Sequence, residues 1–228
     1  MRYLRRAMSS PEPVRFHFDY LSPYAYLAWQ ALPEIAARHG REVVAVPTLF
    51  AALLGAAGTK GPAEIPAKRV YVFKDAMRSA HALGVPFAPP PAHPFNPLLA
   101  LRVSSLDLDE AVRARVVSRL FAATWGGGAG VDGEATVRAL LDELGLDGAA
   151  MVREASSDAT KARLRAATDA AIAAGAFGVP TMFVDGELFW GLDSLRHVDA
   201  RLAGRDPIDD VDLSRWAHTP ATAKRRGS

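Results

Sequence analysis

The sequence predicts an α/β domain with an all-helical insertion. Between residues 62 and 156 apolar residues recur at helical spacing, and no run is typical of a strand. We therefore expect a discontinuous α/β domain at 14–61 and 157–204, a helical domain at 62–156, and flexible or peripheral termini at 1–13 and 205–228. The apolar runs that are typical of strands lie near the two ends of the chain, at Val14–Phe18, Val43–Pro47, Thr181–Val184 and Glu187–Trp190.

The first unit is predicted to be a β–α–β motif. Ser22, after the first strand, is a good N-cap, and Pro23 fits the first turn of a helix. Apolar residues then recur at helical spacing as far as Gly40, which can end the helix. The second strand follows, so we expect a right-handed crossover.

Turn signals divide the rest of the chain. A periodic segment beginning at 63 ends at Gly84, and the proline-rich stretch at 86–97 is expected to be a rigid loop. The sequence Asp185-Gly186 predicts the turn of a hairpin. Further helices are predicted at 98–106, at 109–125, from an N-cap at Asp132 to Leu144, from near Asp147, at 158–174, and from Gly191 and Asp193 to Leu202.

The composition excludes several classes of function. Half of the 228 residues are apolar, which is enough for a large core, and a net charge of +2 gives no argument for a nucleic-acid partner. The absence of cysteine excludes disulfides, Cys-ligated zinc and any dithiol chemistry of the chain's own. No apolar run reaches the roughly 18 residues of a membrane span, and the opening residues lack a secretory h-region, so we expect a cytoplasmic protein.

Three other patterns favour ordinary structure. The glycine-rich run at 126–130 follows a helix and lacks the Lys-Ser/Thr of a phosphate loop, which favours a connector. The histidines lack metal-ligand spacing, and the acidic cluster near residue 210 lacks the rest of a calcium loop. Core packing is the commoner role for the aromatic residues that could line a pocket, which are Trp190, Trp125, Phe50 and Tyr71.

Two short motifs at opposite ends of the chain point to chemistry together. Ser22-Pro23 alone is a helix-capping signal, and Pro180 alone is more often trans, although a cis proline can precede a strand in a tight turn. In this order, a proline-containing helix start and a Val-Pro-Thr before a late hairpin are the two halves of a thioredoxin-like active site. We therefore expect a cis bond between Val179 and Pro180.

The stretches FDYLSPYAYLA, GTKGPAEIPAKRVY and GAFGVPTMFVDGELFWGLDSL resemble the 2-hydroxychromene-2-carboxylate isomerases, relatives of kappa-class glutathione transferases. The resemblance covers about residues 14–204. It implies a thioredoxin-like (DsbA-like) fold, a homodimer, and glutathione as the cofactor. In this family a serine replaces the redox cysteine, so the resemblance assigns Ser22 a catalytic role. A helix N-terminus favours an anion and lowers the pKa of a thiol, so Ser22 could donate a hydrogen bond to the thiolate as well as cap the helix.

The resemblance also implies the residues that hold glutathione. Val179, before Pro180, resembles the residue whose backbone pairs with the cysteinyl unit, and Lys68 resembles a basic residue near the glycyl carboxylate. Asp193 and Ser194 resemble the contacts to the γ-glutamyl end. The alternatives are that Lys68 belongs to a solvated face and that Asp193 is only an N-cap. Tyr24, in the Ser-Pro-Tyr motif, and Thr59, which stands where relatives often have Asn, complete the set.

The resemblance implies an enzyme that interconverts 2-hydroxychromene-2-carboxylate and trans-o-hydroxybenzylidenepyruvate-type aromatic catabolites. A kappa-like glutathione transferase or peroxidase would use the same site. A protein of another class, which only binds a small molecule on a thioredoxin scaffold, stays an alternative because a fold does not determine function.

Overall fold

The strands form one mixed sheet in the computed structural model, which describes residues 11–208 together with 211, 214, 218–220 and 222. Strand β1 (Val14–Phe18) lies between β2 (Val43–Pro47) and β3 (Thr181–Val184), and β4 (Glu187–Trp190) pairs with β3 at the edge. β1 runs parallel to β2 and antiparallel to β3, while β3 and β4 form the predicted hairpin. All four predicted strands are confirmed.

The chain between β2 and β3 is helical. In residues 48–180 the only β pairing is a single bridge between Ala88 and Gly126. Within the described ranges, no helix is long and apolar enough to cross a membrane. The basic ends of the chain and the acidic residues Asp209, Asp210 and Asp212 lie outside the described residues. The helices are α1 (Pro23–Arg38), α2 (Phe50–Ala57), α3 (Pro66–Leu83), α4 (Leu98–Ser104), α5 (Glu110–Trp125), α6 (Glu134–Asp142), α7 (Gly148–Ala155), α8 (Asp158–Ala173) and α9 (Leu195–Leu202).

The structure departs from the predicted helices in four places. Helix α2 was not predicted. The helix expected from residue 63 begins only at Pro66, after a 3₁₀ turn, because proline keeps Ile65 extended, with φ −112° and ψ 109°. The predicted N-cap Asp132 is wrong, since the backbone enters α6 through Gly133. The last helix is preceded by a separate 3₁₀ turn, Leu192–Ser194.

The aromatic side chains at the end of β1 join the sheet to the helical segment. Phe16 and Phe18 are fully buried, and the ring of Phe18 lies 5.3 Å from that of Phe121 on α5. The ring of Tyr20, two residues further along, lies 4.8 Å from the same ring. One continuous core therefore includes β1 and α5. The division of the chain into domains stays a prediction.

Two buried titratable groups lie at the end of β1. The Nδ1–H of His17 donates to the hydroxyl oxygen of Thr48 at 3.0 Å, because the Thr48 hydroxyl itself donates to the carbonyl of Val46. Burial, with the nearby charge of Arg15, lowers the pKa of His17 to about 4. His17 is therefore neutral in the folded protein at neutral pH.

Asp19 is 1% exposed, and its carboxylate joins two segments of backbone. One oxygen accepts the N–H of Leu21 and the other accepts the N–H of Phe50, both at 3.0 Å. Phe50 is the first residue of α2, so Asp19 caps that helix from a distance. Burial raises the pKa of Asp19 to about 6, against the opposing effect of the two N–H donors.

These shifts predict two opposite contributions to stability between pH 4 and pH 6.5. Between pH 4 and pH 6.5, His17 is protonated in the unfolded chain but neutral in the folded one. The contribution of His17 to the free energy of unfolding therefore grows as the pH rises. A folded Asp19 keeps its proton above pH 3.8, so its contribution is lost as the pH rises through about 6. Each shift corresponds to about 3 kcal/mol, and the two largely offset each other.

In His17→Gln, the effect of Asp19 on stability should no longer be offset by that of His17. We expect the unfolding free energy of His17→Gln, measured by urea denaturation, to fall by about 3 kcal/mol relative to wild type between pH 4 and pH 6.5. Asp19→Asn is the matched control and should show the opposite trend. Parallel profiles for wild type and both variants would contradict this account.

Candidate active site

The site is built around the N-terminus of α1. Ser22 is the N-cap, with φ −95° and ψ 114°, and its Oγ accepts the N–H of Ala25 at 3.1 Å. Pro23 has no N–H to offer. The N–H of Tyr24 makes no hydrogen bond to any residue in the described ranges, so one donor of the first helical turn is free. A free amide and the positive end of a helix favour an anion at this position.

The second half of the site is the loop that enters β3. The Val179–Pro180 peptide bond is cis, which confirms the prediction. The Ser22 hydroxyl donates to the carbonyl oxygen of Val179, but at 3.4 Å, the long limit of a hydrogen bond. The N–H of Val179 has no partner among the residues that the structure describes. The two predicted motifs thus meet, although 157 residues separate them.

Tyr24 connects α1 with α3. Its hydroxyl donates to Asp75 at 2.8 Å. Burial raises the pKa of Tyr24, and the bond to Asp75 raises it further, so the phenol stays protonated at any physiological pH. The charges of Asp75, Tyr71 and Asp193 act in the same direction on this pKa. The phenol hydroxyl already donates to Asp75. The donor of Tyr24 that is free for a ligand is therefore its backbone N–H.

Lys68 and Thr59 are both exposed, near the start of α3 and after the end of α2. Lys68 is exposed on the first turns of α3, and no ion pair or hydrogen bond of its ammonium group to a described residue occurs. Lys68 and Asp75 are seven residues apart on α3, so they share one face about 10 Å apart along the axis. Thr59 is exposed after α2, with its N–H bonded to Leu54. The structure brings Lys68 to the helix face that contacts Tyr24.

Asp193 and Ser194 lie in the 3₁₀ turn between β4 and α9. The Ser194 hydroxyl donates to the carbonyl of Trp190, and its N–H donates to that of Gly191 at 3.3 Å. Asp193 is exposed and occupies neither cap position, so its carboxylate is not used as an N-cap. Gly191 has φ +92°, and a Cβ there would lie 2.6 Å from Asp193 Oδ1. Glycine is therefore required for Asp193 to sit as it does.

Sequence reasoning missed the polar groups that hold the turn before α1. Asp75, which fixes Tyr24, was not singled out from the sequence. Trp125 donates its indole N–H to the carbonyl of Tyr20 at 2.8 Å, and His93 is bonded to the carbonyl of Leu21. A histidine and a polar ring N–H in apolar surroundings were the only sequence signals, and neither reveals a partner so far along the chain. Within the described residues, no cluster of His, Cys, Asp or Glu could hold a metal ion.

Comparisons with known proteins agree on one relationship. The model of the DSBA-like thioredoxin domain family matches residues 13–203. A 2-hydroxychromene-2-carboxylate isomerase of Pseudomonas putida is 33% identical over 204 residues, which cover 88% of this chain and 98% of the relative. A solved structure of 2-hydroxychromene-2-carboxylate isomerase aligns with a TM-score of 0.78 at 32% identity, over 88% of this chain and 98% of that one. A glutathione S-transferase kappa 2 of Caenorhabditis elegans is 28% identical over 187 residues, covering 78% of this chain and 83% of the relative.

Proposed function

Because this chain belongs to the 2-hydroxychromene-2-carboxylate isomerase family of DSBA-like thioredoxin domains, we propose that it isomerises 2-hydroxychromene-2-carboxylate with glutathione as its cofactor. The product is a trans-o-hydroxybenzylidenepyruvate. The family and the fold class predicted from the sequence are confirmed. The dependence on glutathione is a proposal, supported by the kappa-class relatives and by the donors of the site.

One observation carries the proposal: the Ser22 hydroxyl at the N-terminus of α1 meets the cis-proline loop, at the place where redox thioredoxin folds have a thiol. The hydroxyl of Ser22 is only weakly engaged, at 3.4 Å, and the N–H groups of Tyr24 and Val179 are free within the described part of the chain. All three are donors, and a thiolate is an anion that accepts hydrogen bonds. The chain has no thiol of its own, so the sulfur must come from a ligand.

The charges around these donors fit glutathione. The tripeptide carries a carboxylate at its glycyl end, a thiol in the middle, and an ammonium and a carboxylate at its γ-glutamyl end. Lys68 would hold the glycyl carboxylate, and Asp193 would hold the ammonium group. The two residues are exposed and lie on different elements, α3 and the 3₁₀ turn before α9, each of which contacts α1. Val179, with its unpaired N–H, would pair with the cysteinyl backbone as a short strand addition.

Glutathione, when bound, supplies a nucleophilic thiolate that adds reversibly to the conjugated double bond and so permits rotation about it. The chain's own share is orientation and charge stabilisation. Ser22 turns its hydroxyl from the Val179 carbonyl to the anion, at little cost because the existing bond is long. The N–H of Tyr24 and the α1 dipole stabilise the same charge. Asp75 holds the Tyr24 side chain in place next to this amide.

A kappa-like glutathione transferase or peroxidase is the second candidate, and the kappa-class relatives favour it. It would use the same Ser22 site but release a thioether or oxidise glutathione. The homodimer and the cytoplasmic location also stay proposals.

The direct test incubates the purified chain with 2-hydroxychromene-2-carboxylate, with and without glutathione, and follows both isomers by liquid chromatography. We expect interconversion only with glutathione, which is not consumed. Loss of glutathione to a thioether or disulfide would favour the second candidate. No turnover together with no glutathione binding would leave a non-catalytic protein.

Ser22→Ala should lower the isomerisation rate most at low pH. If Ser22 stabilises the thiolate, its loss raises the pKa of the bound thiol, and alkaline pH then restores the thiolate without help. A shift of one pKa unit would lower the rate about tenfold below the thiol pKa. The measurement is the pH–rate profile at saturating glutathione, together with the ultraviolet absorbance of the thiolate.

Ser157→Ala is the matched control for that experiment. Ser157 is the N-cap of α8, and its Oγ accepts the N–H of Thr160 at 3.2 Å, so both variants lose a serine cap. Each should lose about 1 kcal/mol of stability. Only Ser22→Ala should change the pH–rate profile, and identical profiles in both variants would reduce Ser22 to a cap.

Lys68→Ala and Asp193→Ala should each raise the glutathione concentration that gives half the maximal rate. We expect about a tenfold rise, the lower end of the range for a lost hydrogen bond to a charged group, because both side chains are exposed. Lys74→Ala, on another face of α3, and Asp107→Ala are controls that should leave it unchanged. The assignment fails if both site variants behave like their controls.

A further inference from the structure

Every backbone carbonyl in the turn of residues 19–22 accepts a hydrogen bond. Two of these bonds are local. The N–H of Ser22 donates to the carbonyl of Asp19 at 3.1 Å, and the N–H of Tyr26 donates to the carbonyl of Ser22 at 3.2 Å. Such bonds are ordinary at the start of a helix.

The other two bonds come from side chains far along the chain. The indole N–H of Trp125 donates to the carbonyl of Tyr20 at 2.8 Å, and Nε2 of His93 lies 2.9 Å from the carbonyl oxygen of Leu21. The donors are 105 and 72 residues away from their acceptors. The two carbonyl oxygens that precede Ser22 thus each accept a hydrogen bond from a ring N–H. The groups of this turn that stay free for a ligand are hydrogen-bond donors.

The bond to Leu21 fixes the state of His93. A carbonyl oxygen only accepts, so Nε2 carries the proton. Burial lowers the pKa of His93, the bond to Leu21 opposes this, and the charge of Arg69 lowers the pKa as well, so the ring is neutral at neutral pH. Its ring lies 5.4 Å from that of Phe73 and 5.5 Å from that of Trp125. Nδ1 is buried and has no partner in the described residues, so the bond to Leu21 is the one that orients the ring.

We propose that His93 is a positioning residue for thiolate activation. By holding the carbonyl of Leu21, it fixes the peptide plane that ends in the Ser22 N–H, and so directs the Ser22 hydroxyl and the Tyr24 amide at the bound sulfur. This role rests on the proposed use of a thiolate at the N-terminus of α1. His93 acts through Leu21 and Ser22 and need not touch the cofactor.

The physical basis is that both ends of one peptide group are held. The Leu21–Ser22 peptide donates through the Ser22 N–H to Asp19 and accepts through the Leu21 oxygen from His93. Bonds at the two ends of a peptide polarise and strengthen each other. Without the donor, the partial negative charge of the Leu21 oxygen is uncompensated beside an anion site, which raises the pKa of a thiol there.

The test places a thiol in the protein itself. Because the chain has no cysteine, Ser22→Cys carries a single thiol, whose pKa reports the potential at the α1 N-terminus without glutathione. We expect a pKa below the value of about 8.5 for free cysteine. Adding His93→Phe, which keeps an aromatic ring but removes the N–H, should raise that pKa by about one unit, or a tenfold loss of thiolate. Adding His93→Gln instead, which keeps an N–H donor, should leave the pKa low.

The readouts are the ultraviolet absorbance of the thiolate and the pH dependence of alkylation, with thermal unfolding of each variant. The charged or titratable groups that the site and His93 face, Asp19, Asp75, Tyr24, Asp193, Lys68 and Arg69, are the same in all variants. His39→Phe is the matched control, because it removes a half-buried histidine bond, 2.9 Å to Asp199, at the other end of α1. It should leave the thiol pKa unchanged.

Each outcome separates this role from the proposed function. If adding His93→Phe to Ser22→Cys leaves the thiol pKa unchanged, or if adding His93→Gln raises it equally, the role of His93 alone is overturned. If the variant with His93→Phe does not fold, His93→Leu replaces it, and failure of both would make His93 a folding residue and overturn the proposal. An ordinary thiol pKa in Ser22→Cys itself would overturn the anion site and both proposals. A low pKa that depends on His93, without glutathione-dependent isomerisation in wild type, would remove only the proposed function.

Discussion

The turn between β1 and α1 depends on donors supplied by the rest of the chain. Its carbonyls are held by Trp125 and His93, and its buried carboxylate, Asp19, is held by the N–H groups of Leu21 and Phe50. An unpaired buried carbonyl or carboxylate is costly, so these bonds constrain where the helical segment can pack. The aromatic contacts of α5 with the end of β1 follow from the same constraint. The turn is the point on which sheet, helices and site all converge.

The arrangement separates negative from positive polarity within a few residues. Carbonyl oxygens are occupied, while the hydroxyl of Ser22 and the amides of Tyr24 and Val179 are weakly engaged or free in the described structure. A cluster of donors made in this way favours an anion without any full positive charge at its centre. Lys68 and Asp193, which we propose hold the two ends of the ligand, are both exposed.

The parts that could be predicted from the sequence were those governed by local patterns. Periodicity and the Asp185-Gly186 turn indicated the strands, and the Ser22-Pro23 cap indicated the start of α1. Helix α2 was not predicted because FAALLGAA is apolar on all sides and so has no amphipathic pattern. In addition, the carboxylate that caps it comes from Asp19, which is distant in the sequence. Local signals also misplaced the start of α6, where Gly133 takes a positive φ of +96°. His93 could not be found, because its partner at Leu21 is set by tertiary packing.

The hydrogen bonds of the site join residues far apart in the sequence, and this determines at which stage of folding the site forms. The bonds to Leu21, Tyr20 and Val179 join residues 72, 105 and 157 positions apart. Contacts of such long range are entropically expensive and belong to the slow, late part of assembly. A nascent chain that has formed β1 and α1 therefore has a helix terminus but no anion site. The arrangement of donors at the N-terminus of α1 is complete only when β3, which lies far from β1 along the chain, has docked beside β1.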